Sequence, residues 1–147
     1  MNTNRFNWEK FIDLAEDLNN QNNQSLLDEA RIRTIINRSY YGIFKQIEDF
    51  LKSSRIQLPK TIPNPSPRNP SKKRTLGSHE RVIQYLVRHH NKQVKYFGVI
   101  LDSLREKRLK ADYHAIPRIQ KHESEQTLKT AQQLNRIISQ ILNILSP

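Results

Sequence analysis

The stretch Ser25-Leu-Leu-Asp-Glu-Ala-Arg-Ile-Arg-Thr-Ile-Ile-Asn-Arg-Ser-Tyr-Tyr-Gly-Ile-Phe-Lys-Gln-Ile-Glu-Asp-Phe-Leu-Lys52 decides how the rest of the chain reads. Leu26, Leu27, Ala30, Ile36, Tyr40, Ile43, Phe44, Ile47, Phe50 and Leu51 recur three and four residues apart, the rhythm that lines apolar side chains along one face of an α-helix. Ser25 can cap the free N–H groups at its start, so a helix is expected from there to about Lys52. So long an apolar stripe needs partners along its whole length, which makes this helix the spine of an all-α bundle.

Upstream, Trp8, Phe11, Ile12, Ala15 and Leu18 keep helical spacing behind a possible Asn7 cap, with Glu9 placed where the helix dipole favours an anion. A short first helix therefore precedes the polar run Asn19–Gln24. Downstream, the segment 58–77 holds five of the seven prolines, Pro59, Pro63, Pro65, Pro67 and Pro70. Proline fixes φ and removes a backbone donor, so this segment is predicted to be a long extended loop with neither helix nor central strand. Gly77-Ser78 opens a third helix with Val82, Ile83, Leu86 and Val87, and a fourth carries Phe97, Ile100, Leu101 and Leu104. Pro117 disfavours helix at the residue before it, so Leu109–His122 is expected to be irregular. Ser124 would then cap a last helix striped by Leu128, Ala131, Leu134, Ile138, Ile141, Leu142 and Leu145. The expectation is one domain over residues 1–147, about five helices, and no sheet.

Composition bounds the function classes. At 147 residues, 35% hydrophobic and 27% charged, the chain can bury one core. The absence of cysteine excludes disulfides and thiolate metal sites and fits a reducing cytoplasm. Three glycines leave no glycine-rich phosphate loop. No apolar run approaches a membrane span, and Met1-Asn-Thr-Asn-Arg-Phe6 lacks the apolar stretch of a signal peptide, so a cytoplasmic protein with no membrane partner is expected. The net charge of +11 is unevenly spread: residues 52–121 carry 17 Lys/Arg against 4 Asp/Glu, whereas residues 1–51 carry 6 against 8. Such clustering is the electrostatic footprint expected for a polyanion, although a solvated basic face kept for solubility would look the same.

Two segments carry a resemblance. Asn37-Arg-Ser-Tyr-Tyr-Gly-Ile-Phe44 is similar to the Arg-small-Tyr-Tyr-small-x-Phe signature on the long second helix of the HEPN superfamily of helical ribonucleases and nucleotide-binding modules. Leu104-Arg-Glu-Lys-Arg-Leu-Lys-Ala-Asp-Tyr-His114 resembles that superfamily's Leu-x-x-x-Arg-x-x-Ala-Asp-Tyr stretch. Helix order over most of the chain matches as well; the proline-rich segment departs from the compact form. The resemblance implies a homodimer that cleaves RNA without metal or cofactor, as a toxin restrained by an antitoxin or as an antiviral effector in a CRISPR-type defence system. The alternative is a catalytically inactive module that binds RNA or a nucleotide, or docks a partner protein.

Catalytic members carry an Arg-x(4–6)-His motif, and Arg108 to His114 fits with five residues between. Arg74 to His79 also satisfies the spacing, so placement beside Ala111-Asp112-Tyr113 selects the first pair. RNA supplies its own 2′-hydroxyl nucleophile, so cleavage needs an acid–base group and a phosphate clamp. His114 would be the former and Arg108, with its forked donors, the latter. Asp112 would orient either group or pair with Lys110; Tyr113 would stack on a base or fill the core. Arg105, Lys107, Lys110 and Arg118 flank the pair as phosphate contacts, and Lys72, Lys73 and Arg74 could extend them from the loop. Arg38, Tyr40 and Tyr41 read as packing residues of the long helix. His79, His89 and His90 lack a completing carboxylate cluster and read as a solvated basic helix end rather than a metal site.

Overall fold

The computed structural model describes residues 5–21, 28–63, 68 and 73–147. Its elements are α1 (Lys10–Asn19), α2 (Asp28–Ser53), β1 (Thr61–Pro63), β2 (Lys73–Thr75), α3 (Ser78–Val87), α4 (Lys92–Tyr113) and α5 (Lys121–Leu145). The expected Ser25 cap, Leu26, Leu27, Pro65, Pro67, Pro70 and Lys72 lie outside the described residues.

The long helix is the spine. Its buried face, which includes Ile35, Tyr40, Ile43, Phe44, Ile47 and Leu51, contacts α1, α4 and α5, while α3 packs on α4. Burying a side chain of this size contributes roughly 1.5–3 kcal/mol, which is how a polar chain sustains a bundle. Two glycines set the closest approaches. A Cβ at Gly42 would stand 2.5 Å from Ile12 Cδ1, where α1 crosses α2, and one at Gly98 would stand 2.7 Å from Leu86 Cβ and 2.9 Å from the Val87 nitrogen, where α3 meets α4.

Helix ends depart from expectation in three places. Asn7 does not cap α1 directly; its Oδ1 accepts from the Glu9 N–H in the turn before the helix. The last helix begins at Lys121, because the Glu123 carboxylate reaches back 2.7 Å to the Gln120 N–H and satisfies a first-turn donor; Ser124 is buried inside that turn. Most consequentially, α4 does not stop before Leu109 but continues to Tyr113. Pro117 restricts only its immediate neighbour, and the Arg33 guanidinium on α2 donates to the carbonyls of Ala111 (2.8 Å) and His114 (2.7 Å) that the helix end leaves free. A small cluster of Ile32, Ile36, Ala111 and Ile119 fastens this end and the following connection to α2.

The proline-rich segment also contains strand, contrary to its reading as loop alone. β1 and β2 pair antiparallel with Thr61 opposite Thr75 and Pro63 opposite Lys73. A ribbon of two strands has an unpaired side on each, so a proline at the end of β1 is tolerated. Leu76, buried after β2, is tied through its N–H to the Lys60 carbonyl at 2.9 Å, and its own carbonyl accepts from the Arg81 Nε on α3 at 3.2 Å.

Candidate functional site

The segments 37–44 and 104–114 meet where α4 crosses the middle of α2. Asn37 donates to both carboxylate oxygens of Asp112, at 3.1 and 2.9 Å. Arg108, one helical turn before Asp112, inserts its guanidinium over Tyr40 and Tyr41, 5.4 and 5.5 Å from the ring centroids. Its side chain is 7% exposed, and Asp112 lies 3.6 Å away, beyond hydrogen-bond reach. Beside this crossing Leu14, Arg33, Thr34, Asn37, Arg38 and Asp112 line a cleft of about 470 Å³.

His114 has a different position from Arg108. It ends α4, its backbone is pinned by Arg33, and its imidazole is exposed; no hydrogen bond joins it to Arg108 among the described residues. Burial of Arg108 follows from its register with Leu104 and Ala111 on the face turned to α2, a face that His114 leaves as the helix ends. Tyr113, read as a core residue in one alternative, is instead 72% exposed. Asp112 takes Asn37 and Arg108 as its neighbours, while Lys110 pairs with Glu123 at 3.1 Å.

The other basic residues are mostly held by acids of the same chain. Arg105 pairs with Asp102 (2.9 Å), Arg118 with Glu29 (3.1 Å) and Arg74 with Glu80 (2.8 Å). Lys107 and Lys73 form no ion pair among the described residues. The pairs of Arg74 and Arg118, whose side chains are exposed, contribute little and leave their cations free to exchange an acid for a phosphate.

Comparison of the chain with protein-family models, with curated proteins and with solved structures gives no match.

A residue that sequence reasoning placed elsewhere stands at this crossing. His79, in the first turn of α3, stacks on Phe44 with ring centroids 4.3 Å apart, and its Nδ1 is 2.7 Å from the Tyr40 hydroxyl. Burial and then the Arg108 charge hold its pKa below the usual histidine value. Burial also pushes the Tyr40 phenol well above its ordinary range, so that hydroxyl stays protonated. Glu48 faces the same region. Burial would raise its pKa, but the hydrogen bond and charge of Lys45 outweigh that and keep it ionised. No spacing rule marks His79, because its position depends on how α3, packed on α4, brings its first turn against the middle of α2. By contrast His89 and His90 stack on each other at 4.3 Å in the turn before α4, and no metal-holding group occurs among the described residues.

Proposed function

We propose that this chain is an RNA-binding helical module of the HEPN type. One observation carries the reading: the two segments whose sequences resemble that superfamily pack against each other and share Asn37–Asp112 hydrogen bonds and the Arg108–Tyr40–Tyr41 stack. Arg105, Lys107, Lys110 and Arg118 would hold backbone phosphates, and exposed Tyr113 offers a face on which a base can stack. The concentration of positive charge in residues 52–121 supports a polyanionic ligand.

A second reading, metal-independent endoribonuclease, is favoured by His114, whose imidazole is exposed and whose backbone carbonyl accepts from Arg33. In it His114 exchanges protons with the 2′-hydroxyl or the leaving 5′-oxygen, and Arg108 steadies the phosphate, leaving a 2′,3′-cyclic phosphate and a 5′-hydroxyl. Two protomers would combine their sites, in the setting of a toxin or antiviral effector. Binding stands ahead of cleavage because Arg108 faces α2 while the exposed His114 leaves that face where α4 ends, with no hydrogen bond between them among the described residues.

The two readings separate in one assay: purified protein with total RNA and excess chelator, alongside Arg108→Ala and His114→Ala. Salt-sensitive binding without cleavage supports the first reading. Cleavage abolished by either substitution supports the second, and cleavage surviving both removes the proposed pair.

A further inference from the structure

We infer that Arg108 and His79, gathered around Tyr40 and Tyr41, form a binding site for a phosphate oxyanion. This deepens the RNA-binding reading, on which the choice of phosphate as the anion rests.

Arg108 supplies the first observation. A guanidinium has five N–H donors, yet Arg108 makes no hydrogen bond among the described residues, and its buried Nε has no partner. Its nearest carboxylate is the 3.6 Å contact with Asp112, whose oxygens already accept from Asn37. Two tyrosine rings attract the cation, but they supply no acceptor in the guanidinium plane. A buried charge left with unmet donors is costly, and an anion with several acceptor oxygens would meet them in the forked geometry that arginine presents.

His79 supplies the second. It lies 5.7 Å, centroid to centroid, from both Tyr40 and Tyr41, the same two rings that hold Arg108. The Tyr40 hydroxyl, protonated and without another hydrogen-bond partner among the described residues, shares a hydrogen bond with His79 Nδ1 in which either group can be the donor. With the hydroxyl as donor the neutral ring carries its proton on Nε2, and a protonated ring carries one there too. In each of these states the ring edge opposite Nδ1 offers an N–H to an anion, and an anion seated there selects them.

The surrounding charges favour the same sign of ligand. Arg105 and Arg108 from α4 and Lys45 from α2 act on His79, opposed by Glu48 alone among the acids named for it. Glu48 is itself bound by Lys45 at 2.6 Å and Lys52 at 3.5 Å. Tyr41, half-buried beside them, gives a neighbouring base a ring to contact. The phosphate could belong to an RNA backbone or to a free nucleotide.

The test follows the histidine ring signals by NMR, with His79 assigned from His79→Gln. The probes are inorganic phosphate, adenosine monophosphate, and a single-stranded hexaribonucleotide made uncleavable by 2′-O-methylation. The His79 signals are expected to shift saturably while those of His114 shift less, and the midpoint is expected to weaken by about tenfold in Arg108→Lys and Arg108→Met. The lysine variant keeps the charge and reads the loss of the fork if the methionine variant does not fold. Wild-type His79 signals unmoved by all three probes, or an unchanged midpoint in a folded Arg108 variant, would overturn the site. If the hexaribonucleotide still binds by fluorescence anisotropy, the RNA-binding reading survives that loss. A response to the mononucleotide but none to RNA keeps the phosphate site and removes the RNA reading.

Discussion

The Tyr40 hydroxyl meets His79 Nδ1 at 2.7 Å, joining the centre of α2 to the first turn of α3, and the Arg108 guanidinium lies 5.4 Å from the centroid of the same Tyr40 ring. Because burial and the Arg108 charge lower the His79 pKa, folding favours the neutral ring. The unfolded chain therefore takes up a proton here more readily than the native state. The associated stability is present above about pH 6.5, the unperturbed histidine value, and is lost as pH falls through the lower folded value. His89, lowered by burial and by His90, adds a slope of the same sign. Urea denaturation between pH 7 and pH 5 should show falling stability, and His79→Gln should flatten that fall. An equal slope in the variant would show that His79 is not its source.

Arg33 closes the end of α4 by donating to the Ala111 and His114 carbonyls, and its link to Glu29, itself bound by Arg118, braces it. Arg33→Gln is expected to destabilise the protein by roughly 1–2 kcal/mol, the scale of partly buried backbone acceptors losing a charged donor. Amide exchange at residues 110–114 should accelerate more than exchange in α5. Unchanged exchange there would mean that packing by Ile32, Ile36 and Ile119 alone holds the helix end.

Much of this architecture is legible in the sequence because the apolar periods of α2 and α5 specify their buried faces, and Gly77-Ser78 marks the start of α3. The end of α4 is not legible, since the group that satisfies its carbonyls is Arg33, 77 to 81 residues away in sequence. The proline count points away from strand, yet each strand of the ribbon needs only one paired edge. At the candidate site, Arg108 and Asp112 could be selected from the Ala-Asp-Tyr segment. Their separation from the His114 side chain appears only when α4 is followed to its last turn. His79 enters because α3, packed on α4, brings its first turn against α2, a tertiary relation with no local pattern.

The C-terminus of α2 offers a stabilising change. Arg55 holds φ at 54°, while its N–H bonds the Lys52 carbonyl and the Ile56 N–H bonds that of Leu51, the pattern of a left-handed helix stop usually built on glycine. Arg55→Gly removes the Cβ penalty and should stabilise by about 0.5–1 kcal/mol. Gly98→Ala should do the reverse, costing roughly 1–3 kcal/mol, because Leu86 and the Val87 backbone occupy the space a Cβ needs. Thermal melts of the two variants should move in opposite directions; a raised melting temperature for Gly98→Ala would contradict the close α3–α4 crossing.

RNA binding itself is tested most directly by titrating a fluorescein-labelled single-stranded RNA with the purified protein at a series of salt concentrations. Binding should weaken steadily with salt, as counterions released by phosphate contacts are recaptured, and the salt slope should become shallower by about one in Lys107→Ala. Absence of binding at low salt, or binding whose strength does not change with salt, would contradict an RNA-binding role for this basic helical module.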